Sequence, residues 1–269
     1  MSAMPFGFYG KLPSQGDFVG RRLPWEFNEA WDQWMQEGVR TAREQLGAGW
    51  LRAYLSAPVW RFRLGPGLIG DTGWVGLWFA SVDRVGRHFP LVVAAPCSAG
   101  AAALVHAPDE AWQQLEDQAL TALDPRLSLA QFDATVMALA APAANSTSAA
   151  PAANTTSAAP ATNSTSAAPA ANTTSAAPVA DATPTAAADV GLRLQLLPVG
   201  ASPQAVAQAC ANVDRAAAVF FSWGSDTVPV TVLSAAELVA ADAFSGFLTG
   251  QWPAAWADVG QPATPPPTN

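Results

Sequence analysis

The middle of this chain sets the terms for everything on either side of it. From Pro142, prolines recur every nine residues at Pro151, Pro160, Pro169 and Pro178, within copies such as Pro142-Ala-Ala-Asn-Ser-Thr-Ser-Ala-Ala150. Each copy offers small uncharged side chains and a helix-breaking ring, and none carries a large apolar group that could offset the entropy of ordering. A disordered Ala/Pro/Thr/Ser linker is therefore expected over residues 141–189. The period is too short for helical solenoids and lacks the glycine and aspartate of calcium-binding β-rolls. Of the 49 residues from Ala141 to Asp189, 21 are alanine, so the 50% hydrophobic content of the chain overstates what can pack. Doubling the length of a loop costs only about 0.6 kcal/mol, so a fold can carry such an insert. The expected organisation is a single domain made of residues 1–140 and 190–252, interrupted by the repeats and followed by a disordered proline-rich tail over 253–269.

Charge and cysteine content narrow the function classes. The 269 residues carry 13 basic and 21 acidic side chains, a net charge of −8, which argues against a polyanion-binding surface and so against nucleic acid as partner. Cys97 and Cys210 are too few and too far apart for a disulfide framework, which points to a reducing compartment. Met1 to Gly10 has neither a cationic start nor a long apolar run, and stretches such as Leu77 to Ala80 and Leu91 to Ala95 are far too short to span a bilayer. A cytoplasmic protein without membrane insertion is expected. Asn145, Asn154, Asn163 and Asn172 each open an Asn-x-Ser/Thr triplet, but glycans on them are not expected without a secretory signal.

The flanking segments carry dense structural signals. Phe27 to Leu46 places Phe27, Ala30, Trp31, Trp34, Met35, Gly38, Val39, Ala42 and Leu46 at helical spacing, with acids near the start, bases near the end and Gly47 as a stop. Val59 to Leu64 alternates apolar with cationic residues, as a half-exposed strand would. Trp74 to Ala80 and Phe89 to Ala95 read as central strands, joined as a hairpin through Ser81 to His88. Asp109 to Leu123 reads as a helix with Trp112, Leu115, Ala119 and Leu123 inward. After the repeats come a strand around Leu192, Leu194 and Leu196, a helix opened by Ser202-Pro203 and running to Asn212, and strands at Val219 to Trp223 and Val228 to Leu233. Ser234-Ala-Ala-Glu237 reads as a capping box for a last helix ending at Gly250. Several strands follow one another without a helix between them. An α+β (mixed α/β) domain is expected, with a largely antiparallel central sheet flanked by helices.

A search for chemistry returns little. Gly65-Pro-Gly-Leu-Ile-Gly70 matches G-x-G-x-x-G literally but is followed by a strand pattern, so it reads as a glycine-rich turn. There is no phosphate-binding G-x-x-x-x-G-K-[ST], no nucleophile elbow, and neither His88 nor His106 has metal-ligand spacing. No cofactor and no metal are expected. His88, beside Phe89, reads as a partly buried hydrogen-bonding residue. Phe8-Tyr-Gly-Lys-Leu-Pro-Ser-Gln-Gly-Asp-Phe-Val19 stands out as a loop that holds the only lysine, Lys11, together with Ser14 and Asp17. Asp17 could cap local amides or pair with a cation. Asp83, Arg84 and Arg87 form a charged hairpin tip, solvated or suited to carboxylate recognition. Most tryptophans fit core positions. Trp25, just before the long helix, either staples the start of that helix or offers an anchor to a partner.

These residues converge on a resemblance. The run Gly7-Phe-Tyr-Gly-Lys-Leu-Pro-Ser-Gln-Gly-Asp-Phe18, with Leu23-Pro24 and Trp31-Asp-Gln-Trp34, resembles the opening of the TagF (ImpM) family of type VI secretion accessory proteins. Tyr54-Leu-Ser-Ala-Pro-Val-Trp-Arg-Phe62, Gly65-Pro-Gly67, Ser81-Val-Asp-Arg-Val-Gly-Arg-His-Phe-Pro-Leu91 and Phe221-Ser-Trp-Gly-Ser-Asp226 continue it. The repeats and the tail depart from the family pattern. The resemblance implies a non-enzymatic, cytoplasmic, post-translational repressor of type VI assembly or firing. In some members this involves the forkhead-associated scaffold of that system. No phosphatase domain of the kind fused to some members is expected from these residues. The contact surface expected on this reading comprises Ser14, Asp17, Trp25, Asp83, Arg84 and Arg87. The competing readings are a structural part of the apparatus and a hydrolase or phosphatase accessory using Asp17, Asp83 and His88.

Overall fold

The computed structural model describes residues 5–97, 109–139, 193–197 and 217–253. Met1–Ala144 and Val190–Asn269 make one compact unit. The expected linker over 141–189, the Ser202 to Asn212 helix, Cys210, His106 and the 253–269 tail lie almost wholly outside the described residues.

Eight strands form one sheet: β1 (Gly7–Lys11), β2 (Phe18–Arg21), β3 (Trp60–Leu64), β4 (Gly73–Phe79), β5 (Leu91–Cys97), β6 (Arg193–Leu197), β7 (Ala218–Ser222) and β8 (Val230–Ala235). Their order is β2-β1-β5-β4-β3-β7-β8-β6, and every neighbouring pair is antiparallel. Strands from both sides of the repeats therefore share one sheet, with β3 against β7 as the joint between them.

The longest helix, α1 (Trp25–Leu46), begins at Pro24, whose fixed extended backbone suits the position before a helix, and stops at Gly47, which takes φ +50°. Its buried stripe is Phe27, Trp31, Trp34, Met35, Gly38 and Ala42. With the short α2 (Trp50–Leu55) and α5 (Ser245–Thr249), it covers one face of the sheet, against Trp60, Phe62, Trp78, Phe220 and Leu233. Gly38 is needed for the approach, since a Cβ there would sit 2.2 Å from the Phe244 ring. Two indoles tie the halves together: Trp34 Nε1–H donates to the Val239 carbonyl at 2.7 Å and Trp60 Nε1–H to the Phe247 carbonyl at 3.0 Å.

The opposite face is covered by α3 (Asp109–Leu120) and α4 (Leu129–Met137), whose Trp112, Leu115, Phe132 and Val136 pack on Phe8, Val75, Leu77 and Val93. A capping box, Ser128 with Gln131, opens α4, an element the sequence analysis did not anticipate.

Four expectations change. The strand at Trp60 to Leu64 is buried on both faces, because α3 lies over the arginine side: Arg61 donates to Glu116 at 2.6 Å and stacks on Trp112 and Phe221. Leu123 is 42% exposed, since α3 passes into a tighter 3-10 turn at Thr121–Leu123 that turns Ala122 inward instead. Ser234 caps no helix. It completes β8, paired with Val219 and Arg193, and the last helix is only α5, preceded by a 3-10 turn at Ala241–Ala243 and closed by Gly250 in the left-handed conformation. The segment from Phe8 to Val19 is a hairpin rather than a loop throughout, with Lys11 opposite Phe18 and Phe8 opposite Arg21.

Candidate functional site

The residues singled out in the sequence meet where two hairpin tips touch. Lys11 ends β1, and its buried ammonium reaches Asp83 Oδ2 at 2.6 Å, across 72 residues of chain. Asp83 lies in the turn between β4 and β5. Its Oδ1 accepts the backbone N–H groups of Val85 at 3.0 Å and Arg87 at 2.9 Å, and its Oδ2 also accepts Arg87 Nε at 2.6 Å. Desolvation works against this carboxylate, but the hydrogen bonds from Lys11 and from the Arg87 and Val85 groups outweigh it and hold its pKa well below the usual aspartate range.

Backbone bonds complete the weld. The Arg84 N–H donates to the Gln15 carbonyl at 2.8 Å, and Arg87 Nη2 donates to the Gly16 carbonyl. Ser81 Oγ donates to the Lys11 carbonyl at 2.7 Å, while the Tyr54 hydroxyl of α2 donates to the Ser81 carbonyl at 2.9 Å. Burial pushes that phenol's pKa upward. Gly10, at φ +140°, lets β1 pass close to Pro90, whose carbonyl oxygen would lie 2.3 Å from any Cβ.

Among the six candidate contact residues, Ser14, Asp17, Arg84 and Arg87 lie on these two adjoining tips. Ser14 is partly exposed, and Asp17, Arg84 and Arg87 are exposed. Asp17 Oδ1 accepts the Phe18 N–H at 2.8 Å, a local cap rather than a pair with a cation. Asp83 is 2% exposed, so it shapes the tip from beneath and presents no surface of its own. Trp25 is 68% exposed, which a staple over the start of α1 would not leave. It follows the Arg21 end of β2, away from the tips at the Phe18 end, so the structure does not group it with the other five.

Beside the tips runs a groove of about 1130 Å³ between α1 and the turn at Gly86 to Phe89. The sequence analysis missed it because its walls come from three separate elements. Along α1 the lining passes from Glu29, Asp32 and Glu37 to Arg40 and Arg43, with Trp50 and His88 beside Arg43, and Arg87 lines the same groove from the hairpin turn. His88 packs edge-on against Trp50 and Tyr54, with ring centroids 5.3 and 5.4 Å away, in place of the expected hydrogen-bonding role. Burial, then the charge of Arg43, lower the imidazole's pKa against the opposing pull of Asp83. Arg43 lies over the Trp50 ring at 5.1 Å.

Among the described residues, no group of His, Cys, Asp and Glu is arranged to hold a metal ion, and no helix is long and apolar enough to cross a membrane. The Cys97 thiol is pushed up to about 11 by burial, despite the opposing charge of Arg63.

Residues 7–139 match the sequence model of the TagF N-terminal domain, described as type VI secretion system-associated. The chain belongs to the TagF family. All of β1 to β5 and α1 to α4 fall within the matched span. The fold of this TagF-family chain is similar to the crystal structure of PA0076 from Pseudomonas aeruginosa PAO1, with a TM-score of 0.66 and 30% sequence identity over 96% of this chain and 100% of that one. No curated protein matches.

Proposed function

We propose that this type VI secretion-associated protein is a non-enzymatic, cytoplasmic repressor that restrains assembly or firing of the apparatus by docking onto another protein. The partner on this reading is a regulatory scaffold of the system, such as the forkhead-associated protein. The observation that carries the proposal is the weld at Lys11 and Asp83. Two family-like motifs, distant in sequence, are locked into one rigid surface bearing Ser14, Asp17, Arg84 and Arg87. A preorganised polar surface loses little entropy on binding, which suits recognition of another macromolecule.

Deleting the gene should raise secretion of type VI substrates; a fall would instead favour a structural part of the apparatus. Affinity capture with the purified scaffold as bait should recover the wild-type chain and lose the Asp17→Ala, Arg84→Ala double variant. Equal recovery of both would remove this surface from the interaction.

A further inference from the structure

We propose that the groove between α1 and the β4–β5 turn receives an acidic side chain, carried on an extended segment of a partner protein, at Arg43 beside Trp50 and His88, with Arg87 lining the same groove. The inference rests on the docking reading above and extends it from the tips into the adjoining groove.

Two guanidinium groups that line this groove are held in place before any ligand arrives. The Arg43 guanidinium lies over the Trp50 ring, 5.1 Å from its centroid, and has no carboxylate partner among the described residues, which leaves its N–H donors available. Arg87 spends Nε on Asp83 and Nη2 on the Gly16 carbonyl, which fixes its plane and leaves Nη1 unused. Arg40, by contrast, is already paired with Glu44 at 2.9 Å and contributes little. A planar guanidinium fixed by other contacts is well suited to a carboxylate, because the geometry of the charge-assisted bond is set in advance.

The other end of the groove decides what kind of molecule brings that carboxylate. Glu29 and Glu37 have no ion pair among the described residues, and Asp32 stands between them, accepting the Tyr9 hydroxyl at 2.9 Å. A multiply charged free anion would be repelled along this wall. A peptide with an acidic residue at one end and a basic residue at the other matches the polarity of the groove, and a volume of about 1130 Å³ has room for several residues. The helix dipole accounts for acids early and bases late in α1. It does not account for Arg87, which the hairpin turn brings from another element.

The chain contains two histidines, His88 and His106, so the imidazole Cε1–H resonances of the full-length protein give a direct reading of the site, with His88→Gln supplying the assignment. Three probes are titrated: the peptide acetyl-Lys-Gly-Ser-Gly-Asp-Glu-amide, its Asn-Gln counterpart, and inorganic phosphate. The acidic peptide should move the His88 signal saturably, leave His106 in place and raise the pH at which His88 titrates. Arg43→Gln should weaken this binding about tenfold, and Arg126→Ala, on the remote turn before α4, should not.

An unmoved His88, equal binding by Arg43→Gln, or an equal response to the Asn-Gln peptide would each overturn the proposal. So would phosphate acting as strongly as the acidic peptide, since that marks a general anion site. Failure here, with secretion still raised by deleting the gene, would remove the groove and leave the repressor reading standing.

Discussion

The two faces of the sheet are held by different chemistry. On the α1 face the contacts to the segment beyond the repeats are neutral: the Trp34 and Trp60 indoles donate to the carbonyls of Val239 and Phe247, and Gln45 donates to the Asp242 carbonyl. The α3 and α4 face carries ion pairs: Arg22 with Asp133, and Arg61 with Glu116. The first face unites segments that the repeats separate, so it must hold strands together over a long insertion. It does so with interlocked aromatic rings, whose burial does not depend on pH. The second face draws most of its core from residues before the repeats, with Phe221 of β7 added beside Arg61 and Trp112, and it uses charges as well as rings. Asp83, at the end of the sheet, belongs chemically with the second group.

The largest effects should expose this contrast. Trp60→Ala removes a fully buried indole, its hydrogen bond to Phe247 and its ring contacts with Trp78, Phe247 and Trp252, and should cost about 3–5 kcal/mol in urea unfolding. Phe132→Ala on the other face should cost a similar amount. Only Trp60→Ala, however, should speed amide hydrogen exchange in α5, because only that change loosens the union of the two segments. Next comes Gly38→Ala, which drives a methyl into the Phe244 ring and should cost about 1–3 kcal/mol, visible as a lowered Tm with an unchanged m-value.

The ionic set should respond to pH where the neutral set does not. Asp83 has a lowered pKa in the folded state, so its contribution to stability is fully present above the ordinary aspartate pKa of about 4 and is lost as pH falls below that. Asp83→Asn should therefore be less stable than wild type at pH 7 and decline less steeply between about pH 4 and 2. Parallel pH–stability curves for the two would contradict the assignment. The smallest effect is expected from excising residues 142–178, which should change stability by less than about 2 kcal/mol, as measured by chemical denaturation, because closure entropy varies slowly with loop length.

Local signals were legible in the sequence and long-range ones were not. The periodicity of α1, the continuous apolar runs of β4 and β5, and the hairpin between them could be read directly, since each depends on neighbours in the chain. Arg61 and Arg63 looked half-exposed because alternation marks two faces without saying what covers each, and α3 covers theirs. The Ser234 to Glu237 capping signature lost to strand pairing: Ser234 is opposite Val219 in the sheet, a partner no local rule supplies. β1 and β2 were missed because they are short and broken by Gly10 and Gly20.

At the site, the exposed tip residues Asp17, Arg84 and Arg87 were visible as loop residues. The bond from Lys11 to Asp83 and the convergence of Arg43, Trp50 and His88 depend on distant segments meeting in space. Trp25 stands out in the sequence by its place before the long helix, but its separation from the tips is set by the register of β1 and β2.

The span matched by the TagF N-terminal domain ends at residue 139, yet within the sheet its last strand, β3, is flanked by β7, which comes from beyond the repeats. A fragment cut at that boundary would bare a row of four backbone positions on β3 and strip the ring-lined side of Trp34 and Trp60 of its cover. Such a piece would be prone to stick to copies of itself. The natural unit for expression or grafting is thus longer than the matched segment suggests, and it must reach at least to α5.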